Sequence, residues 1–294
     1  MAVFLQQLLN GVSLGSIYAL LALGYTMVYG IMNLINFAHG DVYMIGAYIG
    51  FVATSLLGLG FIPALLLSMI ISALLGMAIE KVAYRPLRNS SRIALLITAI
   101  GVSLLLEYVT MYIAGPDTRS FPTILSNKEF HFINGQITIS SMQLYILVIS
   151  IILMLLLQFI VQRTKIGKAM RAVSMDQDAA QLMGINIDTT ISATFALGSA
   201  LAGAAGILVG LYYNSIDPLM GITPGLKAFI AAVFGGIGSI PGAMVGGMLL
   251  GMIETLVSGY LNSNYRDAVA FIILIIILLI KPSGLLGKSN REKV

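Results

Sequence analysis

Long apolar runs separated by short polar or basic stretches set the pattern of this chain. Residues 3–23, 42–57, 62–79, 93–114, 142–161, 191–213 and 268–280 contain one charged residue between them, Glu107. Several approach the ~20 residues that carry a helix across a bilayer core of about 30 Å. Residues 225–260 form a further apolar stretch, broken at Gly235-Gly236-Ile237-Gly238-Ser239-Ile240-Pro241, and read either as one long segment or as a hairpin. Alternating residues 136–140 predict a short β-hairpin within the polar connection 115–141. The pattern predicts an all-α, polytopic transmembrane helix bundle of about eight spans with Gly-rich breaks, organised as one membrane domain over residues 1–294.

Composition excludes the soluble alternative. Charged residues make up 10% of 294 and hydrophobic residues 58%, with mean hydropathy +0.96, whereas a soluble domain is about 25% charged. The 16 Lys and Arg against 12 Asp and Glu do not suggest nucleic acid, because the basic residues gather between spans. Lys81, Arg85, Arg88 and Arg92 form one group, Arg163 to Arg171 a second, and Lys281, Lys288, Arg291 and Lys293 a third. The positive-inside bias places all three on the cytoplasmic side. Segment 191–213 then runs outward and leaves 214–224 outside. A single crossing by 225–260 would strand the basic tail outside, whereas two crossings return it, so the broken hairpin is preferred and the C-terminus is cytoplasmic. Counting back from Lys81 puts the N-terminus outside. Lys81 is also the first basic residue, so no basic region precedes an apolar one and the first segment is expected to remain as a span. With no cysteine, disulfides and Cys-based metal sites are excluded.

Two stretches interrupt the apolar pattern in a way that suits a solute pathway. The early one, 24–40, holds three glycines with Asn33, Asn36 and His39, and leads into Asp41. The late one is 235–241. Irregular backbone at membrane depth is tolerated only where protein or a water-filled cavity satisfies it, and paired breaks can mark two related halves. Candidate pathway residues are therefore Asn33, Asn36, His39 and Asp41, with Gly235, Gly236 and Gly238 supplying backbone flexibility. Asp41, Glu107 and Glu254 are ionisable groups that cost ~2.5–3.5 kcal/mol each at a helix centre on insertion scales. Each is expected to pair with backbone or a polar side chain inside the bundle, or else to line the pathway. Lys227, near an external loop, is expected to snorkel to the interface. His39 and Asp41 have no third ligand near them, since His131 stands in another loop, so no metal site and no cofactor are expected. Gly287-Lys288-Ser289 ends like a phosphate loop, but Pro282 stands where its first glycine must be.

The second basic loop carries the most specific feature. Ser174 with Gln177 fits a capping box, with Asp176 and Asp178 in the positive first turn and Gly184 placed to end the helix. Met175, Ala179 and Leu182 fall on one face. Such a helix either rests on the bilayer surface or docks a cytoplasmic partner. Asp178-Ala179-Ala180-Gln181-Leu182-Met183-Gly184 resembles the EAA-x-x-x-G element of ABC-importer permeases, with Asp in place of Glu and without the Leu-Pro that ends the general motif. Gly24 to Asp41 with Asn36-Phe37-Ala38-His39-Gly40, Ile166-Gly167-Lys168-Ala169-Met170-Arg171-Ala172-Val173, and Phe195-Ala196-Leu197-Gly198-Ser199-Ala200-Leu201-Ala202-Gly203 resemble branched-chain amino-acid ABC permeases. So do Val233-Phe234-Gly235-Gly236-Ile237-Gly238-Ser239 and Lys281-Pro282-Ser283-Gly284-Leu285-Leu286-Gly287. The likeness runs in order along nearly the whole chain and is closest to the shorter, LivH-type subunit.

The resemblance implies a permease subunit, not an enzyme, in a bacterial cell membrane. It would act with a LivM-type second permease, two cytoplasmic ATPase subunits and an external binding protein that delivers Leu, Ile or Val. The ATPase-coupling helix would be Ser174, Asp176, Asp178, Ala179, Ala180, Leu182, Met183 and Gly184. Urea and short-chain amide permeases share much of the pattern. An autonomous H⁺- or Na⁺-coupled transporter is the reading from another class, and would make Asp41, Glu107 or Glu254 essential.

Overall fold

Lipid forces a chain to satisfy its backbone hydrogen bonds internally, and the apolar runs duly become helices in the computed structural model. It describes residues 2–125, 128–132 and 135–287. In order the helices are α1 (Ala2–Met32), α2 (His39–Ser55), α3 (Phe61–Ile79), α4 (Arg92–Ala114), α5 (Ser141–Arg163), α6 (Lys165–Met175), α7 (Gln177–Leu182), α8 (Ile187–Tyr213), α9 (Ile222–Gly235), α10 (Ile240–Tyr260) and α11 (Arg266–Ile280). Among the described residues seven helices are long and apolar enough to cross a bilayer, counting α3 as continuous through Leu87 and α11 from Ser263. The polytopic bundle is as expected, and the count of about eight lies close. α2 and α9 stand outside the count of seven. At 17 and 14 residues and ~1.5 Å per residue, both fall short of a ~30 Å core.

Pro86 shapes the end of α3. Its ring conflicts with the carbonyl four residues back, and the helix widens into a π turn, Glu80–Tyr84, before a 3₁₀ turn, Arg85–Leu87.

Burial sorts the spans into layers. The apolar windows of α1 and α8 are 94% and 83% buried, against 22% for α4 and 33% for α5. α1 and α8 therefore form the centre, while α4, α5 and α11 turn residues such as Leu105, Tyr112, Leu155 and Leu279 outward. Between lipid-solvated helices the hydrophobic effect gives little attraction, so close backbone approach through small residues takes its place. Gly11 and Gly15 of α1 face Gly251 and Gly247 of antiparallel α10, and Gly46 of α2 faces Gly203 of α8. At Gly206 a Cβ would collide with the Tyr43 carbonyl and stand 2.7 Å from the Ala47 amide. Gly206→Val is expected to destabilise the protein by at least the ~1–3 kcal/mol of an overpacked core, read as a lower unfolding temperature in detergent. Gly101→Val on α4, with open space around it, should leave that temperature unchanged.

The connections separate cleanly between the two ends. At one end Arg85 and Arg88 (2.7 Å) both pair with Asp188 at the start of α8, and Arg88 also reaches Glu80 at 3.0 Å. Arg171 bonds the Gln162 carbonyl and Gln177 the Ile31 carbonyl, so the first two basic groups share this end. The α9–α10 turn lies here too, and Leu285 and Leu286 donate backbone N–H groups to the Phe234 and Gly235 carbonyls. Of the third basic group only Lys281 lies among the described residues; Lys288, Arg291 and Lys293 lie outside them. At the opposite end β2 (Glu129–Phe132) pairs with β3 (Ile137–Ser140), the expected hairpin, and β1 (Arg119–Ser120) pairs with β4 (Ser215–Ile216). The Gln6 amide exchanges two hydrogen bonds with Thr138, at 2.9 and 2.8 Å, tying the start of α1 to β3.

The late break is a hairpin, α9 then α10, as charge parity required. The early break is shorter than expected. α1 continues through Gly24 and Gly30 to Met32, and only residues 33–38 are non-helical. Those glycines admit neighbours instead of ending the helix: Gly24 faces the His39 ring and Gly30 faces Gly238. Asn33, at φ 50°, ends α1, a left-handed position that Asn tolerates.

Candidate functional site

The first turns of the two half-length helices meet. Residues 33–38 carry the chain back along α1, so that His39 opens α2 level with Gly24, which in turn faces Gly198 near the middle of α8. α9 also begins within the bundle, where Gly221 and Gly225 pack on Gly40. Asp41, in the first turn of α2, lies against Gly221 and accepts a 2.5 Å hydrogen bond from Ser103 of α4. Two positive helix ends thus face one carboxylate. Glu107, one turn along α4 from Ser103, is buried beside it.

Of the early-break residues, Asn36 is buried and accepts a 2.7 Å hydrogen bond from Tyr84 Oη. His39 is buried and meets the Tyr25 ring edge-on at 4.9 Å between centroids. Asp41, like these two, is buried. Asn33 is exposed and stands apart from them, in a cavity of about 670 Å³ at the basic end that it shares with Gln158, Arg171, Gly238, Ser239 and Pro282. Gly238 is therefore the late-break residue that joins Asn33. Gly236, at φ 112°, is buried beneath Ser283 and Gly287, and Gly235 is buried against Gly242. The strap over this turn was not singled out from the sequence as a cover, although Pro282-Ser283-Gly284 is a turn signal; Gly284 sits at φ 73°.

The helix expected over 174–184 forms as two pieces. Ser174 does not cap it. α6 starts at Thr164, whose Oγ1 accepts from Gly167 N at 3.1 Å, and runs through Ser174 to Met175. Asp176, in extended backbone, ends α6 and caps α7, accepting from Ala179 N at 2.9 Å. The C-terminal expectation holds: Gly184 is at φ 81°, and Gly184 and Ile185 donate to the Gln181 and Ala180 carbonyls, a Schellman motif. Ala180 is buried, whereas Asp178 and Ala179 are exposed and Met175, Leu182 and Met183 are 89%, 89% and 83% exposed. The sequence stripe is split between two helices but remains uncovered.

At the opposite end Lys227 does not snorkel. It is 6% exposed, with Nζ 2.6 Å from Glu254 Oε1 and 2.7 Å from Asp267 Oδ1, and Arg266 Nε stands 3.5 Å from the same Glu254 oxygen. α11 begins beside α9 and α10 and brings Arg266 and Asp267 to the pair, so the lysine finds anions before it finds water. Glu254 is paired inside the bundle, as expected for a buried acid. The assembly joins positions 227, 254, 266 and 267 on three helices, and no local spacing announces it. Among the described residues no group of three metal-ligating side chains occurs.

Residues 7–278 match the model of a family described as the branched-chain amino acid transport system / permease component. The chain is 45% identical to the high-affinity branched-chain amino acid transport system permease protein LivH of Escherichia coli strain K12, over 99% of this chain and 98% of that one. It is equally similar, at 45% over the same shares, to the permease protein BraD of Pseudomonas aeruginosa. The permease protein LivM of Salmonella typhimurium is 26% identical over 94% of this chain and 69% of its own length. With its apolar spans, its half-length helix pair and a match along nearly its whole length, the chain belongs to the branched-chain amino acid transport permease family.

Proposed function

We propose that this chain is the membrane-spanning subunit of an ATP-driven importer for branched-chain or related amino acids, with residues 1–294 forming one permease domain. The observation that carries the reading is the 45% identity to LivH and BraD over 99% of the chain. A second permease of LivM type, two ATPase subunits and an external binding protein complete the transporter. The basic end faces the cytoplasm of a bacterial cell, which puts the C-terminus inside and the β-hairpin outside.

α7 is the ATPase-coupling element. Its uncovered residues face away from the bundle at the basic end, and its neighbours connect it to the spans. Gln177 Nε2 donates to the Ile31 carbonyl at 3.2 Å, near the end of α1, and Ile187 starts α8 five residues after Leu182. A push on α7 is therefore delivered to the two central helices and to the cavity around Asn33. Hydrolysis takes place on the partner subunits, and this chain makes or breaks no covalent bond.

Reconstitution with the three partners tests this reading. Leucine uptake is expected only with ATP and the complete set. Uptake driven by an H⁺ or Na⁺ gradient without the ATPase overturns it, and uptake of urea or short amides with no leucine uptake replaces the substrate class.

A further inference from the structure

The end of α3 is fastened both to α8 and to the early break. Asp188, Ser192 and Phe195 of α8 fall at i, i+4 and i+7, on one stripe of that helix. Arg85 and Arg88 hold Asp188, with 2.7 Å from Arg88 Nη1 to Asp188 Oδ1. Ser192 donates to Glu80 at 2.5 Å, and Arg88 reaches the same carboxyl group at 3.0 Å. The guanidinium of Arg88 thus bridges Glu80 and Asp188 through charge-assisted bonds, which are the strong ones. The Tyr84 ring lies against Phe195 at 5.4 Å between centroids, and Glu80 and Tyr84 are both fully buried. Tyr84 then donates its hydroxyl proton to Asn36 at 2.7 Å, three residues before α2 opens at His39.

α8 is tied closely to α7. Only residues 183–186 join them. Gly184 and Ile185 close the end of α7, and Asn186 caps α8 by accepting from Thr189 N at 3.0 Å. A displaced α7 therefore carries Asp188 with it. On the other side of the ion pairs, α3 has a place to give. Sharp bends in long helices fall at proline and at π turns, and the π turn Glu80–Tyr84 with Pro86 supplies both. The middle of α3 stays fixed, because the buried Ser68 hydroxyl bonds the Gly46 carbonyl of α2 at 2.8 Å and the Gly203 carbonyl of α8 at 3.1 Å.

We propose that this π turn relays the movement of α7 to the early break, with Asp188 and Tyr84 as its positioning residues. The proposal rests on the permease reading above and adds the route by which α7 acts on residues 33–38. When the start of α8 shifts, the ion pairs draw the π turn after it. The Tyr84 hydroxyl then moves Asn36 and the chain that leads into α2. Gly40 of α2 packs on Gly221 and Gly225, so the shift ends at the junction of the two half-length helices.

Links in series have a distinctive signature, read in proteoliposomes of the complete transporter as leucine imported per ATP hydrolysed. Tyr84→Phe removes the hydroxyl that reaches Asn36, and Asp188→Asn removes the charge that holds Arg85 and Arg88. Each is expected to lower the ratio about fivefold or more, the lower end for couplings between distant sites. The double variant should be no worse than the poorer single one, because a chain already broken loses nothing by a second cut, whereas independent sites add their effects. Arg88→Lys, which keeps the charge but loses the planar fork that bridges two carboxylates, replaces Asp188→Asn if that variant does not assemble. An unchanged ratio, a fall of uptake and hydrolysis in proportion, or losses that multiply in the double variant each overturn the relay. Leucine uptake by the unmodified transporter separates the two levels: uptake with an unaltered ratio in the variants removes only the relay, and no uptake removes the permease reading itself.

Discussion

Leu182→Glu is expected to release the ATPase subunits from the purified permease while leaving the helix bundle intact. Leu182 is 89% exposed, so its loss removes no internal packing, and substitutions at such positions usually change stability by no more than ~0.5 kcal/mol. On the proposed reading Leu182 enters a cleft of the ATPase subunit, where a buried carboxylate is costly. An affinity loss of roughly tenfold or more, 1.4 kcal/mol per factor of ten, would appear as loss of the ATPase on affinity purification and of ATP-dependent uptake together. Unchanged co-purification would remove α7 as the coupling element. Ala180→Glu makes the contrast: Ala180 is buried, so that variant should lower the unfolding temperature of the permease by itself.

The second large effect is expected at Lys227. Lys227→Met leaves Glu254 buried without its ammonium partner, and breaking a buried pair by removing one member costs ~3–5 kcal/mol. Asp267, whose side chain is 59% exposed, can return to water, so the cost falls on Glu254, for which Arg266 at 3.5 Å compensates poorly. The unfolding temperature in detergent should drop well below that of the Gly101→Val control. Adding Glu254→Leu should recover most of the loss, because an apolar pair of similar volume is often neutral or better than a buried ion pair. A double variant as unstable as the single one would show that the lysine stabilises through contacts other than this pairing.

The spans were legible because lipid leaves so few options: an apolar run near 20 residues has little to become except a helix. The α9–α10 hairpin was legible through charge parity, not hydropathy, since its glycine turn could equally have been packed within one helix. The early break was misplaced because glycine carries two meanings in membranes. Gly24 and Gly30 read as interruptions, but in the structure they are thinned surfaces that let His39 and Gly238 approach. The cap of α7 was misassigned for a related reason. Ser174 and Asp176 are both good caps, and which one serves depends on how far α6 runs from Thr164, a competition that neither motif displays. The Lys227 network was hidden because its members meet only in three dimensions. A lone lysine near a loop looks the same whether water or a glutamate lies beside it.

The pairing of α1 with α10 has a consequence for how the protein is made. Ser16 and Met248, which touch across that interface, are 232 positions apart. At about 5–20 residues per second, the ribosome needs roughly 10–50 s after producing α1 before its main partner exists. For the first part of that wait the side chains of Gln6 and Asn10 have only each other, until Thr138 and Gln143 follow 132 and 133 positions later. α1, the earliest of the described helices, is therefore among the last to be fully packed.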